Sequence, residues 1–290
     1  MVPMIKFKKY YSRRKGDVDQ QQYNLDDMKN YFKLLFGELD RRHYFSQAFG
    51  FECVDEGYIE GEHVEGLSVL IELALRNDKI WPFDSYMSQW SEDDIFDVIE
   101  FLHDYVSRPL EEDGYLHSWG DCGWHYSKFD KLEGQKVFRD EFNKMLMEYS
   151  TGFKLHKSGE IQSLGHETLR SLLDTEVPTD DHEIELKVEN AINKFRKHGS
   201  TLDQRQNAVR DLADVLEKLC PDLKKVLNRK DDKALFEIAN KFGIRHFNNK
   251  QNLDYDKSIW LSWMFYFYLA TIHASSRFIK KNNSYLIFRP

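Results

Sequence analysis

The stretch "TLDQRQNAVRDLADVLEKLC", residues 201–220, carries apolar side chains at Ala208, Val209, Leu212, Val215, Leu216 and Leu219. These positions recur every three or four residues, so they fall on one stripe of an α-helix and do not alternate as on a strand. Thr201 and Gln204 have the spacing of a capping box, in which each side chain bonds the other residue's backbone N–H, and Pro221 is expected to close the helix. A stripe this broad has to be covered, and the neighbouring segments supply the cover. Upstream, Ile184, Val188, Ala191, Ile192 and Phe195 share one face of a helix over 183–198 that stops at Gly199. Downstream, "DDKALFEIANKF" (231–242) reads as a short third helix and "SIWLSWMFYFYLATIHASS" (258–276) as a fourth. Four helices with short connections over 183–282, followed by a tail at 283–290, predict an antiparallel bundle.

The fourth segment is close to a bilayer span in length and has no Asp, Glu, Lys or Arg. It also holds four serines, a threonine and His273, and its neighbours are amphipathic helices, so it is read as a buried bundle helix and no membrane partner is expected.

Towards the N-terminus the first 22 residues form a basic arm without the apolar core of a secretion signal. From 23 to 173 the pattern is again helical. Met28, Tyr31, Phe32, Leu35 and Leu39 recur at helical spacing behind Asn24 as N-cap, and further helices are expected over 64–77 and over 91–106, the last capped by Ser91. Residues 107–134 are rich in Pro, Gly and aromatic residues and read as a long structured loop. Phe138, Phe142, Met145 and Leu146 mark another helix, after which alternation around Lys157–Ser158–Gly159 predicts a β-hairpin near 152–163. The acidic, Pro-containing stretch 174–182 is the expected linker. The fold class is therefore mainly α: a helical domain ending in a small hairpin, then a four-helix bundle.

Charge divides the chain unevenly. Residues 183–290 hold 20 Lys and Arg against 13 Asp and Glu, a net of +7; with −8 overall, residues 1–182 carry −15. A basic C-terminal half suits phosphate-bearing partners. Three cysteines, Cys53, Cys122 and Cys220, are far apart in sequence and odd in number, which suggests a reducing, cytoplasmic setting.

Several chemistries lack their motifs. There is no Gly-x-Ser-x-Gly elbow and no Gly-rich phosphate loop, so neither a triad hydrolase nor an ATP or GTP hydrolase is supported, and no cofactor is expected. In "YLHSWGDCGWHYSKFD", His117, Asp121, Cys122 and His125 are metal-ligand types, and Cys122 and His125 have a spacing that lets two ligands share an ion. With one cysteine and no second such pair to answer it, the segment reads as an aromatic-packed loop and no metal is assigned.

Arg245 and His246 stand side by side in "FGIRHFNN" (242–249), between the third and fourth helices. Arginine holds a phosphate by paired hydrogen bonds and histidine moves protons near neutral pH, which together suffice for metal-independent RNA cleavage through the 2′-hydroxyl, with Asn249 in support. This placement resembles the HEPN domain, a family of small helical bundles found in toxin, phage-defence and RNA-processing systems. The segment "FRDEFNKMLMEYSTGFKLHKSGEI" before it is similar to the helix and hairpin that end the N-terminal domain of AbiJ-like abortive-infection proteins. The resemblance spans about residues 135–282. It implies an abortive-infection-type defence or toxin protein in which an N-terminal sensor or regulatory domain controls the bundle, a homodimer through that bundle, RNA as partner and a phage-derived trigger. It also implies metal-independent endoribonuclease activity with Arg245, His246 and Asn249 as the catalytic set. Active members separate Arg from His by four to six residues, positions held here by Lys250, Gln251 and Asn252, so the alternative is a non-catalytic dimerisation or RNA-binding module.

Overall fold

The computed structural model describes residues 23–117, 122–150, 152–165, 167–223 and 256–287, together with Tyr11. The chain divides into two compact units, Met1–Leu164 and Gly165–Pro290. Both are mainly helical.

The first unit opens with α1 (Leu25–Arg41), started by a complete capping box in which Asn24 Oδ1 accepts from the Asp27 N–H at 2.9 Å and Asp27 Oδ2 accepts from the Asn24 N–H at 3.1 Å. A short α2 (Ser46–Phe49) leads into the hairpin β1 (Phe51–Cys53) and β2 (Gly57–Ile59). Then come α3 (Gly66–Leu75), α4 (Phe83–Tyr86) and α5 (Glu92–Tyr105), the last capped by Ser91 as expected. The segment expected to be a loop over 107–134 contains strands. β3 (Arg108–Pro109) pairs with β6 (Phe129–Asp130), and β4 (Tyr115–His117) with β5 (Gly123–His125). Ladders of two or three residues are too short for a period to show in the sequence, which is why they were not legible there.

Helix α6 (Lys131–Leu146) follows, and its Phe138 and Phe142 stack at 4.3 Å in the middle of the core. Phe142 meets Phe32 of α1, which in turn meets Trp90 edge-on at 5.6 Å. The expected hairpin is present as β7 (Phe153–Leu155) and β8 (Ile161–Ser163). It is clasped to α6 by Asn143, whose Oδ1 accepts from the Leu155 N–H at 2.6 Å while its Nδ2 donates to the Leu155 carbonyl at 3.2 Å. One side chain thus satisfies both backbone groups of an outer strand residue.

In the second unit, α7 (Glu167–Asp174), α8 (His182–Arg196), α9 (Leu202–Leu223) and α10 (Lys257–Ile287) bury one apolar core. The expected linker 174–182 is less separate than its composition suggests. Leu173 and Val177 are buried in this second core, so the division falls after Leu164. The Thr201–Gln204 capping box is formed in both directions, at 2.9 and 3.2 Å. Pro221 does not close α9, which runs on to Leu223. The proline has no N–H to give the helix, and Leu223 beyond it is buried in the core. Helices α8 and α9 form a hairpin across residues 197–201, and α10 packs along α9. Phe195 stacks on Phe265 at 3.8 Å, and Arg196, itself buried, pairs with Asp174 at 3.0 Å.

In α10, Leu261, Met264, Phe265, Tyr268, Leu269 and Ile272 are buried against α8 and α9. Among the described residues no helix is long and apolar enough to cross a membrane. The expected third bundle helix, 231–242, lies outside the described residues.

Candidate metal centre

The sequence offered two places for chemistry, and the structure develops one of them. Arg245, His246 and Asn249 lie outside the described residues, as does Asp121. His117, Cys122 and His125 are described, and they converge with a fourth residue from 64 positions away, Cys53. One ligand atom from each of the four lies within 4.8 Å of every other.

Three backbone segments build this arrangement. Cys53 is the last residue of β1, followed at once by the turn into β2. His117 is the last residue of β4. Cys122 immediately precedes β5, and His125 ends it. In the β4–β5 register Tyr115 faces His125 and His117 faces Gly123, so residues 115, 117, 123 and 125 share one face of the ladder while Leu116 and Trp124 share the other. The two histidine rings therefore point the same way, with centroids 4.9 Å apart. Gly123, at φ +96°, makes the backbone turn that admits the strand directly after Cys122.

Each histidine turns one nitrogen to a cysteine and the other to an oxygen. His117 Nδ1 lies 3.7 Å from Cys53 Sγ, and its Nε2 lies 2.9 Å from Asp55 Oδ2. His125 Nε2 lies 3.0 Å from Cys122 Sγ, and its Nδ1 lies 3.2 Å from the Tyr115 hydroxyl. Asp55 and Tyr115 thus hold the outward nitrogens, which sets the ring orientation and leaves the inward nitrogens as donors. Cys53 and His125 are buried and the other two are half-buried, with Phe51 edge-on to the His125 ring at 4.8 Å.

The electrostatics suit a cation. Burial, and after it the neighbouring His117, holds His125 below the usual histidine range, which keeps it in the neutral form that ligates metal. A backbone hydrogen bond at Val54 lowers the Cys122 thiol's pKa, but desolvation, the Cys53 thiol and the Asp55 carboxylate outweigh it and leave the thiol above its ordinary value. A bound dication reverses that balance, because a coordinated thiol is deprotonated.

Two thiols and two imidazoles are a zinc donor set. With Zn–S near ~2.3 Å and Zn–N near ~2.0–2.1 Å, a tetrahedral site separates its donors by about 3.3–3.8 Å, so the four atoms here need only small shifts to meet one ion. Four protein ligands also complete the tetrahedron. No position is left for a substrate or an activated water, and the chemistry such an ion supplies is cross-linking.

Cys53 was missed because nothing near it repeats the spacing of the second pair. In sequence it stands alone in "FEC" (51–53), before the turn residues "VDEG" (54–57), with no histidine or second cysteine at metal-binding spacing. The chain matches no family model, no curated protein and no solved structure in the three comparisons made.

Proposed function

We propose that residues 23–164 form a zinc-tied regulatory unit, and that the second unit is a HEPN-like bundle acting on RNA in abortive-infection-type defence or as a toxin. The convergence of Cys53, His117, Cys122 and His125 carries the first half of this reading. The ion joins the β1–β2 hairpin to the β4–β5 hairpin, two elements that share no backbone ladder. Elemental analysis of the purified chain tests it: one zinc per chain is expected, falling to a trace in Cys53→Ser and in His125→Ala. A metal-free wild-type chain, refolded with zinc and still empty, would rule the site out.

The second half is supported by the α8–α9–α10 core, by the +7 balance of residues 183–290 and by the resemblance to HEPN domains. In this reading the bundle forms a homodimer, Arg245 holds the scissile phosphate, His246 takes the 2′-hydroxyl proton and Asn249 orients the phosphate. A phage-derived trigger acts through the first unit. Total RNA is incubated with wild type, Arg245→Ala and His246→Ala in buffer without added divalent cation. Cleavage by wild type alone supports the enzyme. Equal cleavage by all three, or by none, sinks it and leaves the bundle as a non-catalytic dimerisation or RNA-binding module, the alternative favoured by the adjacency of Arg245 and His246.

A further inference from the structure

A cleft of about 380 Å³ opens in the first unit between the end of α1 and the start of β5. That volume lies within the ~300–1,000 Å³ occupied by small-molecule sites. One side is cationic. Arg41 is engaged by its own helix, with Nη2 on Glu38 at 2.7 Å and Nε on the Gly37 carbonyl at 3.1 Å. Arg108 is held loosely, 3.5 Å from Glu111 and 3.9 Å from Glu133, beyond the ~2.7–2.9 Å of a charge-assisted bond. Arg42 makes no ion pair among the described residues, and its guanidinium lies over the Tyr44 ring at 5.9 Å.

The other side is aromatic. A Cβ added at Gly114 would sit 2.7 Å from Tyr126 Cε1 and 3.2 Å from Trp124 Cε3, so both rings are seated on a residue that has no side chain. Trp124 stays 49% exposed although its edge is fixed in this way. It lies on the ladder face opposite His117 and His125, while Cys122 of the metal centre borders the cleft. An exposed indole and an uncompensated guanidinium lining one cleft are complementary to a molecule that joins a flat π-system to an anion. Glu111 also lines the cleft, and its carboxylate disfavours a long polyanion. Arg42 and Arg108 set against Glu111 suit a single phosphate.

We propose that this cleft binds a nucleoside monophosphate, with the base on Trp124 and the phosphate on Arg42 and Arg108. The same group is presented by a free mononucleotide and by the phosphorylated end of an RNA. The site is separate from any cleavage by the second unit. Binding is therefore read on the full-length Arg245→Ala chain, which leaves RNA intact under the reading above.

Isothermal titration uses AMP, adenosine, inorganic phosphate and a 5′-phosphorylated tetraribonucleotide as probes. AMP is expected to bind one-to-one, and adenosine and phosphate each at least about tenfold more weakly, since each lacks one half of the recognition. Adding Arg42→Gln should weaken AMP about tenfold or more. Adding Trp124→Ala should weaken AMP by about 5- to 100-fold and leave phosphate unchanged, as loss of base stacking requires. Both side chains are exposed, and matching thermal melts confirm that the variants are folded. Tighter binding of the tetranucleotide than of AMP assigns the site to an RNA end; equal or weaker binding assigns it to the free nucleotide. No heat with AMP or the tetranucleotide at millimolar concentration overturns the proposal, as does unchanged AMP affinity in either variant.

Discussion

The two units solve the problem of holding a core together by different means. In the second, helices of 15, 22 and 31 residues lay continuous apolar stripes against one another, and long amphipathic helices need nothing further. In the first, the helices α1, α5 and α6 enclose an aromatic centre, but the described residues of 51–59 and 108–130 fold as six short strands in three separate two-stranded ladders plus turns. An isolated pair of strands is marginal in water, and pairs of two or three residues are more so. The four candidate metal ligands lie in this weakest material. The contrast shows where a cross-link is worth most: where backbone ladders are too short to cooperate.

Removing the cross-link should give the largest effect. A structural zinc contributes on the order of 10 kcal/mol or more to the folding of small modules at pH 7. Cys53→Ser, or stripping the metal with a chelator, is therefore expected to lower the melting transition of the first unit sharply and leave that of the second in place. Calorimetry with zinc analysis on the same samples checks this. A single unshifted transition would show that the ladders stand without the ion.

The converse change attacks the second unit. Leu212 is fully buried between α9 and its neighbours, so Leu212→Ala should cost about 2–5 kcal/mol through lost contacts and the cavity left behind. The zinc content and the first unit's transition should not move, a result readable from the same two measurements.

A third effect depends on pH. His103 in α5 is buried, accepts a hydrogen bond from Arg139 Nη1 at 3.0 Å on its Nε2, and lies 3.9 Å from the Asp104 carboxylate. Burial first, then Arg139 and Lys131, lowers its pKa to about 4. The unfolded chain, with an ordinary histidine near ~6.5, takes up the proton first as pH falls. Stability should therefore be independent of this group above about pH 6.5, decline between 6.5 and 4, and level off below. His103→Gln should flatten that decline in the first unit, and denaturant melts at half-unit pH steps compare the two slopes.

The smallest expected change is at a helix start. Thr201→Ala removes one half of the α9 capping box and should cost about 1 kcal/mol, confined to the second unit. A urea melt resolves it. No shift would mean that the neighbouring turn satisfies the Gln204 N–H without the hydroxyl.

How much of this was legible in the sequence follows the same division. Periodicity and caps place α1, α5, α6, α8 and α9 because each carries its own signal: Asn24, Ser91 and Thr201 act on residues three positions away. The β7–β8 hairpin was legible for the same reason, with Gly159 at φ +88° in its turn. The ladders at 51–59 and 108–130 were not, since strands this short have no period to detect. Pro221 misled because the helix continues past it to a buried Leu223, a tertiary placement that no local rule contains.

The sequence by itself determined a mainly helical chain and the extents of its long helices; it showed His117, Cys122 and His125 as metal-ligand types but assigned them no metal. Only the tertiary structure decided that Leu173 and Val177 belong to the second core, and that Cys53 stands within reach of His117, Cys122 and His125. The physical reason is range. Caps and stripes are interactions between residues within a turn or two of each other, whereas a metal site and a core boundary are set by which surfaces meet after the chain has folded back on itself.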